Sequence, residues 1–334
     1  MAESLIEVFI LTYNRVLMLE TAVRSVLSQT AATKLTVVDN HSTDGTVEMI
    51  SRLKDEGCEF EYIRRAENGG AGANFETARA NFRAPYVMVF HDDDVLHPQY
   101  IESALAVLRE HPELDLICSS VRDFSEDAEL DQRQFERVEY KFFPNRQRFA
   151  SYVYCASILN GAETLHYSPT IYRRDYLQHA VGDGERFGKI ADTPFMVECV
   201  HDGAVVQMTT PMAWIRRHAG QDTKNPMTGC SIEQILNISR YYREYMMQKP
   251  DSARLYGWVC GRGIRAGINF STGKFSTLAL FRAAIKAGLV RFHSFFLLGE
   301  YVLGRFLHLP IPIHHWLWNK KVAALYTKGE LNLL

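Results

Sequence analysis

Cysteine is scarce in this 334-residue chain and scattered: six residues, at 58, 118, 155, 199, 230 and 260, with no C-x-x-C pair. Such spacing offers neither a zinc site nor a disulfide framework, and single thiols of this kind suit a reducing cytoplasm. Long apolar runs are missing as well. No stretch of eighteen uncharged residues occurs, which argues against a membrane-spanning helix. A dominant charge sign is lacking too: the formal net charge is −2, so bulk electrostatics give nucleic acid no hold. There is no internal repeat or low-complexity segment. The N-terminal MAESLIEVF is acidic and runs at once into a strand pattern, unlike a signal peptide. Two phosphate-binding signatures are also absent. No G-x-x-x-x-G-K-S/T run occurs, and the first expected strand is followed by TYNR instead of G-x-G-x-x-G, so neither a P-loop nor a Rossmann dinucleotide site is expected.

What is present is a regular alternation over the first 120 residues. IEVFIL (6–11), LTVVD (35–39), FEYIRR (60–65), YVMVF (86–90) and LDLICSS (114–120) read as strands, and 16–29, 44–55, 71–81 and 98–109 as the helices between them. Continuous apolar strands separated by helices predict an α/β fold, a mostly parallel sheet flanked by helices on both faces. Ligands bind such sheets at the carboxyl ends of the strands. The polar stretches TYNR, DNHSTDGT, ENGGAG and HDDD all fall there. Residues 121–150 read as a charged, solvated excursion, 190–208 as a short helix then a strand, and 212–222 as a strand ending in a polar loop. From Ser231 the pattern is helical to the end, with a turn at the prolines around 310–312.

The three aspartates of HDDDVLHP (91–98) are the sharpest chemical signal. Adjacent carboxylates repel and call for a cation, and hard oxygen donors suit Mg²⁺ or Mn²⁺. Magnesium shares its sphere with phosphates, so a phosphate-bearing ligand is expected. One aspartate could instead serve the start of the helix that Pro98 opens. Asp39, ending the second strand, can accept a hydrogen bond from a base N–H or a ribose hydroxyl. Ser42 and Asp44 are the better caps for the helix that follows. The Gly-rich ENGGAGAN (67–74) permits close backbone approach, though a plain turn explains it equally well.

In order and spacing, ILTYNR, VVDNHSTDGT, NGGAGAN and HDDDVLHP resemble family 2 glycosyltransferases of the GT-A fold, strongly from residue 5 to about 120 and weakly to about 222. The resemblance implies a nucleotide-diphosphate-sugar donor (UDP, GDP or dTDP), a divalent metal, and inversion at the anomeric carbon. It implies that Thr12, Tyr13 and Arg15 flank the nucleotide, that Asp39 meets the base, and that Asn68 and Gly69 lie near ribose or base. Asp92 would face the ribose or sugar, and Asp93 and Asp94 the metal and diphosphate, with His91 standing where an acid is often found. Asp192, preceded here by Ala191, resembles the catalytic base, while an N-cap ahead of Thr193 and Pro194 is its plainer reading. His218 in RRHAGQ resembles a histidine that reaches the metal or diphosphate, and Arg216 and Arg217 can pair with phosphate. Glu163, His166 and Tyr167 are candidates for the acceptor pocket. On this reading residues 1–225 form the GT-A domain, with a nucleotide-sugar half (1–120) and an acceptor half (121–225), and 231–334 a helical C-terminal region.

From Ser271 onward eight Lys/Arg face two Asp/Glu, a +6 tail on a −8 body. Between 276 and 309, Arg282, Lys286, His293 and Glu300 share one helical face opposite Leu, Phe, Ala, Val and Ile. With the tryptophans and lysines of PIPIHHWLWNKK (310–321), this suits an anionic membrane surface or a homodimer contact equally. The expectation is a cytoplasmic enzyme, peripheral on the inner face of the membrane, adding sugar to a hydroxyl of a glycan or lipid-linked acceptor in cell-surface polysaccharide synthesis. A nucleotidyltransferase remains open at this point, although TYNR lacks the basic Gly-rich loop it needs. So does a non-catalytic sugar-nucleotide binder or membrane scaffold.

Overall fold

The computed structural model describes residues 4–125, 130, 133–143, 166–179, 184–188, 191–192, 194–196 and 204–218, with single positions at 231, 233–234, 236–237, 240–241 and 285–286. The chain divides into two compact units. The first comprises Met1–Arg146, Leu165–Val181 and Asp202–Ala219, and the second Gln147–Thr164, Gly182–His201 and Gly220–Leu334.

The first unit is built on β1 (Ile6–Thr12), β2 (Lys34–Asp39), β3 (Glu61–Arg64) and β4 (Tyr86–His91), which pair in parallel in the order β3-β2-β1-β4. Ile6, Val8, Phe9 and Ile10 on β1, and Val87, Met88, Val89 and Phe90 on β4, are all buried, so both faces of these strands are covered. Each such side chain contributes about 2 kcal/mol of apolar burial. The intervening helices are α1 (Val16–Leu27), α2 (Thr46–Asp55), α3 (Gly70–Arg79) and α4 (Tyr100–Glu110). On α1 the buried residues Leu19, Ala22, Val23 and Val26 follow the helical period and form the core-facing stripe.

Beyond β4 the sheet becomes mixed. β5 (Val95–Leu96), β6 (Leu114–Phe124), β7 (Tyr140–Phe143), β8 (Ile171–Arg173) and β9 (Ala204–Arg216) extend it as β4-β8-β6-β9-β5, with β7 on β9. β8 is antiparallel to both β4 and β6, while β6 and β9 run parallel. Two expected boundaries shift. β6 runs on to Phe124, into the stretch read as a solvated excursion. The two strand segments expected before and after residue 210 are one strand, β9. A register shift in β9 sets Thr209, Thr210, Pro211 and Met212 opposite Ser120, and the proline is tolerated because a bulge asks no ladder hydrogen bond of it. The helix α5 (Arg174–His179) follows β8.

Glu7 shows how tightly the sheet is pinned. It is 2% exposed, and one carboxylate oxygen accepts the backbone N–H groups of Arg83 (2.6 Å) and Ala84 (3.0 Å) at the entry to β4. Glu7→Ala is expected to cost about 3 kcal/mol, because two charge-assisted bonds vanish and two buried donors lose their acceptor. Urea denaturation checks this, and a cost below about 1 kcal/mol would show the donors finding other partners.

In the second unit, the described residues include α6 (Gly184–Phe187). The Phe187 ring meets Tyr241 edge-on at 5.6 Å, and the Tyr241 hydroxyl donates to the Pro194 carbonyl at 3.2 Å. Ile285 and Lys286 are helical and exposed. The rest of the expected C-terminal helical region lies outside the described residues. No helix among the described residues is long and apolar enough to cross a membrane.

Candidate active site

The carboxyl ends of β1, β2 and β3 carry loops that are stitched to one another. After β1, Asn14 donates its backbone N–H to the Ser42 hydroxyl (2.9 Å), and its side-chain oxygen accepts the Thr43 N–H (2.7 Å). Asp44 caps two helices at once. One oxygen accepts the Val16 N–H at the start of α1 (2.8 Å), and the other accepts the Thr46 N–H at the start of α2 (3.2 Å). Burial opposes ionisation of Asp44, but the Thr46 hydroxyl and the backbone donors prevail and hold it below the usual carboxylate range. Asn40 and Asn68 join the next pair of loops. The Asn40 amide donates to Asn68 Oδ1 (2.7 Å), and Asn40 Oδ1 accepts from Arg65 (3.1 Å) and from the Gly69 N–H (3.1 Å). A Cβ on Gly69 would stand 2.7 Å from the Arg65 guanidinium and 2.8 Å from Ala73 Cβ, so this close approach requires glycine. Asn14 and His41 hold positive φ of 51° and 68°, strain that the stitched loops sustain.

The turn between β4 and β5 holds the three aspartates, and all are buried: Asp92 at 4%, Asp93 at 7% and Asp94 at 2% exposure. Basic side chains surround them. One Arg15 nitrogen lies 2.9 Å from Asp92 and 3.2 Å from Asp93. His218 Nε2 lies 3.0 Å from Asp93 Oδ2. The buried Arg216 donates its backbone N–H to Asp94 (3.3 Å) and its Nε to the Asp93 carbonyl (3.1 Å), with its guanidinium over the Phe124 ring. From β8's side, the Ser168 hydroxyl donates to Asp94 Oδ2 (3.2 Å) and accepts the His91 N–H (3.0 Å). Burial raises the Asp92 pKa, with Arg15 and Thr12 opposing and Asp93 adding to the rise. For Asp93 burial is outweighed by His91, His218 and Arg15, and the pKa falls. Desolvation disfavours the charged form of the half-exposed His91 imidazole, yet Asp94, then Asp93 and Asp92, raise its pKa to about 9.

One ligand atom each from His91, Asp93 and Asp94 lies within 4.8 Å of the others, the one such group among the described residues. Two carboxylate oxygens and an imidazole nitrogen fit a divalent cation. More than half of the chain, the acid-rich turn after β4 included, lies within the match to one family model. The model for glycosyl transferase family 2 covers residues 7–179. The chain belongs to glycosyl transferase family 2.

This glycosyltransferase has the GT-A fold, and solved structures share it. A fragment of S. aureus TarS (residues 1–349), solved with UDP-GlcNAc, aligns with a TM-score of 0.57 at 15% identity, covering 81% of this chain and 76% of that one. A structure of S. aureus TarS aligns with a TM-score of 0.50 at 15% identity, over 82% of this chain and 44% of that one, so this glycosyltransferase spans under half of its length. A mannosyltransferase from Pyrobaculum calidifontis, solved with GDP-Man and Mn²⁺, aligns at 13% identity and a TM-score of 0.49, over 90% and 86% of the two chains. No curated protein matches.

The residues expected from the sequence sort into three groups. Arg15, Asp92, Asp93, Asp94 and His218 converge on one turn, and Thr12 joins them. Its buried hydroxyl opposes the rise in the Asp92 pKa. Asp39, Asn68 and Gly69 organise the adjoining loops. Asp39 is fully enclosed, accepting from the Ser42 N–H (2.9 Å) and hydroxyl (2.6 Å) and from Tyr62 (2.7 Å), with Arg64 at 3.5 Å. Tyr13 is 43% exposed beside them in sequence. The third group holds the remaining candidates. Asp192 is exposed in a helical turn of the second unit, and Glu163 lies outside the described residues. Of the two arginines expected on phosphate, Arg216 is buried under the aspartates and Arg217 pairs with Asp123 at 2.7 Å. Tyr167 lies 6.3 Å from the His91 ring, and burial lowers the pKa of His166. Sequence reasoning missed Ser168, Asn40 and Tyr62, and it placed His91 only as the substitute for an acid. The sole local signal was the adjacency of His91 to the aspartates.

Proposed function

We propose that this glycosyltransferase is inverting and metal-dependent, and that it takes a nucleotide-diphosphate-sugar to a hydroxyl of a glycan or lipid-linked acceptor. The observation that carries this reading is the meeting of three buried carboxylates with Arg15 and His218 at the carboxyl edge of the parallel strands. Asp93 and Asp94 hold the cation, Mg²⁺ or Mn²⁺, with His218 bonded to Asp93. When bound, that cation offsets charge developing on the departing diphosphate. Thr12, Tyr13 and Arg15 border the nucleotide, the Asn40–Asn68–Gly69 loop shapes the base and ribose subsite through backbone approach, and Asp92 faces the sugar. Asp192 takes the acceptor hydroxyl's proton as the oxygen attacks the anomeric carbon in line. The donor nucleotide is UDP, GDP or dTDP, and the TarS fragment solved with UDP-GlcNAc puts UDP first among those to test. Titration against a panel of the three classes with Mn²⁺, followed by product assay, decides it. Donor binding and transfer that ignore chelation of the cation would overturn metal dependence.

The basic tail supports a peripheral place on the inner face of the membrane, in cell-surface polysaccharide synthesis, with 231–334 as the membrane-facing or dimerising region of a 1–225 GT-A domain. Vesicles containing anionic lipid are expected to carry the full chain on flotation, and neutral vesicles are not. Equal recovery from both would remove the membrane role.

A further inference from the structure

The strand order gives the aspartate turn two sides. In β3-β2-β1-β4-β8, the loops after β1, β2 and β3 stand on one side of β4, and the segment entering β8 stands on the other. Because β8 is antiparallel to β4, residues 166–170, just ahead of it, lie at the carboxyl end of β4. The Ser168 hydroxyl accepts the His91 N–H at 3.0 Å and fixes them there. With the nucleotide on the β1–β3 side, attack in line on the anomeric carbon brings the acceptor in from the β8 side.

On that side stands an aromatic ring on a tied-down backbone. Tyr167 is half-buried, its ring 6.3 Å from the half-exposed His91 ring and 5.8 Å from the ring of the fully buried Tyr172. Its carbonyl accepts the Thr170 N–H and the Tyr172 hydroxyl, each at 3.2 Å, and the His166 carbonyl accepts from the Thr170 hydroxyl. A ring carried on such a backbone has little freedom left to lose when a ligand meets it. Its electron-rich face suits the C–H groups that line one face of a pyranose. Phosphate is served less well. Arg216 is buried with its Nε on the Asp93 carbonyl, and Arg217 is paired with Asp123 at 2.7 Å.

We propose that the acceptor is a glycan whose terminal pyranose lies against the Tyr167 ring, so that this enzyme extends an existing sugar and does not prime a lipid phosphate. This rests on the proposed transfer from a nucleotide-sugar at the aspartate turn. A hydroxyl oxygen of that pyranose bonds to the anomeric carbon of the donor. The bond from that carbon to the diphosphate oxygen breaks, its electron pair leaves with the diphosphate, and the hydroxyl proton goes to the base. The reaction that supplies the acceptor is then an earlier glycosyl transfer.

The test uses the full chain with Mg²⁺ and whichever of UDP, GDP or dTDP it binds by titration. The probes are the methyl pyranosides of glucose, galactose, mannose and N-acetylglucosamine. Sorbitol serves as the open-chain polyol without a ring face, and farnesyl phosphate as the lipid phosphate. Saturation-transfer NMR is expected to show at least one pyranoside bound through its ring C–H groups, and neither sorbitol nor farnesyl phosphate bound. Tyr167→Phe is expected to keep the Kd of that pyranoside within about threefold of the wild type. Tyr167→Ala is expected to weaken it about tenfold, with nucleotide affinity unchanged. Circular dichroism confirms folding, and Tyr167→Leu, apolar but without an aromatic face, replaces the alanine variant if that one unfolds. Farnesyl phosphate or sorbitol bound in place of every pyranoside would overturn the inference. So would the absence of any bound pyranoside, or a pyranoside Kd that Tyr167→Ala leaves unchanged. In these cases nucleotide binding still stands, and with it the proposed donor site. A chain that binds none of the three nucleotides would remove that site and this inference with it.

Discussion

Asp93→Asn is expected to lower sugar transfer by about three orders of magnitude while leaving the chain folded. The substitution preserves shape and removes one negative charge. Asp93 Oδ2 accepts from Arg15 (3.2 Å) and His218 (3.0 Å), and an asparagine oxygen can accept the same two donors. The fold therefore loses little, since neither buried donor is left without an acceptor and Arg15 retains Asp92. The cation site loses a hard anionic ligand, which no amide replaces. The measurements are nucleotide release and product formation under saturating donor, with cation affinity by titration and melting by circular dichroism. Turnover within tenfold of the wild type would mean that the cation and its aspartates are not part of the chemistry.

The second large effect is at Asp192, and it should look different. Asp192→Asn is expected to lower transfer between a hundredfold and ten-thousandfold, roughly the worth of a positioned general base, without changing donor or cation affinity. Asp192 lies exposed in a helical turn of the second unit. The split between turnover and binding is the decisive readout. Loss of donor affinity equal to the loss of rate would assign Asp192 to binding, and unchanged rate would assign the proton to another acceptor.

Much of the first unit was legible because its signals are local. Three of the four parallel strands are largely apolar runs, β3 being the polar-ended exception, and their carboxyl ends are marked by abrupt polarity, as at Phe90 to Asp94. Three adjacent carboxylates call for positive charge without any knowledge of the fold. Asp44 was legible as a cap for α2, yet its second role, on Val16 across 28 residues, was not. Nor was the passage of β9 through the bulge at Thr209–Met212, because proline and threonines read as an end to a strand.

By itself the sequence determined the alternating α/β order, the family, and the residues Asp92, Asp93 and Asp94 as an acidic turn, since periodicity and adjacency are properties of neighbouring residues. The tertiary structure decided what meets that turn. Arg15 arrives from 77 residues away, Ser168 from 74 and His218 from 125, and sheet order brings them together. At Asp93 the meeting is a matter of a few ångströms, with His218 at 3.0 Å and Arg15 at 3.2 Å. No spacing along the chain encodes those distances, because they are set by how β4, β8 and β9 pack side by side and against the helices.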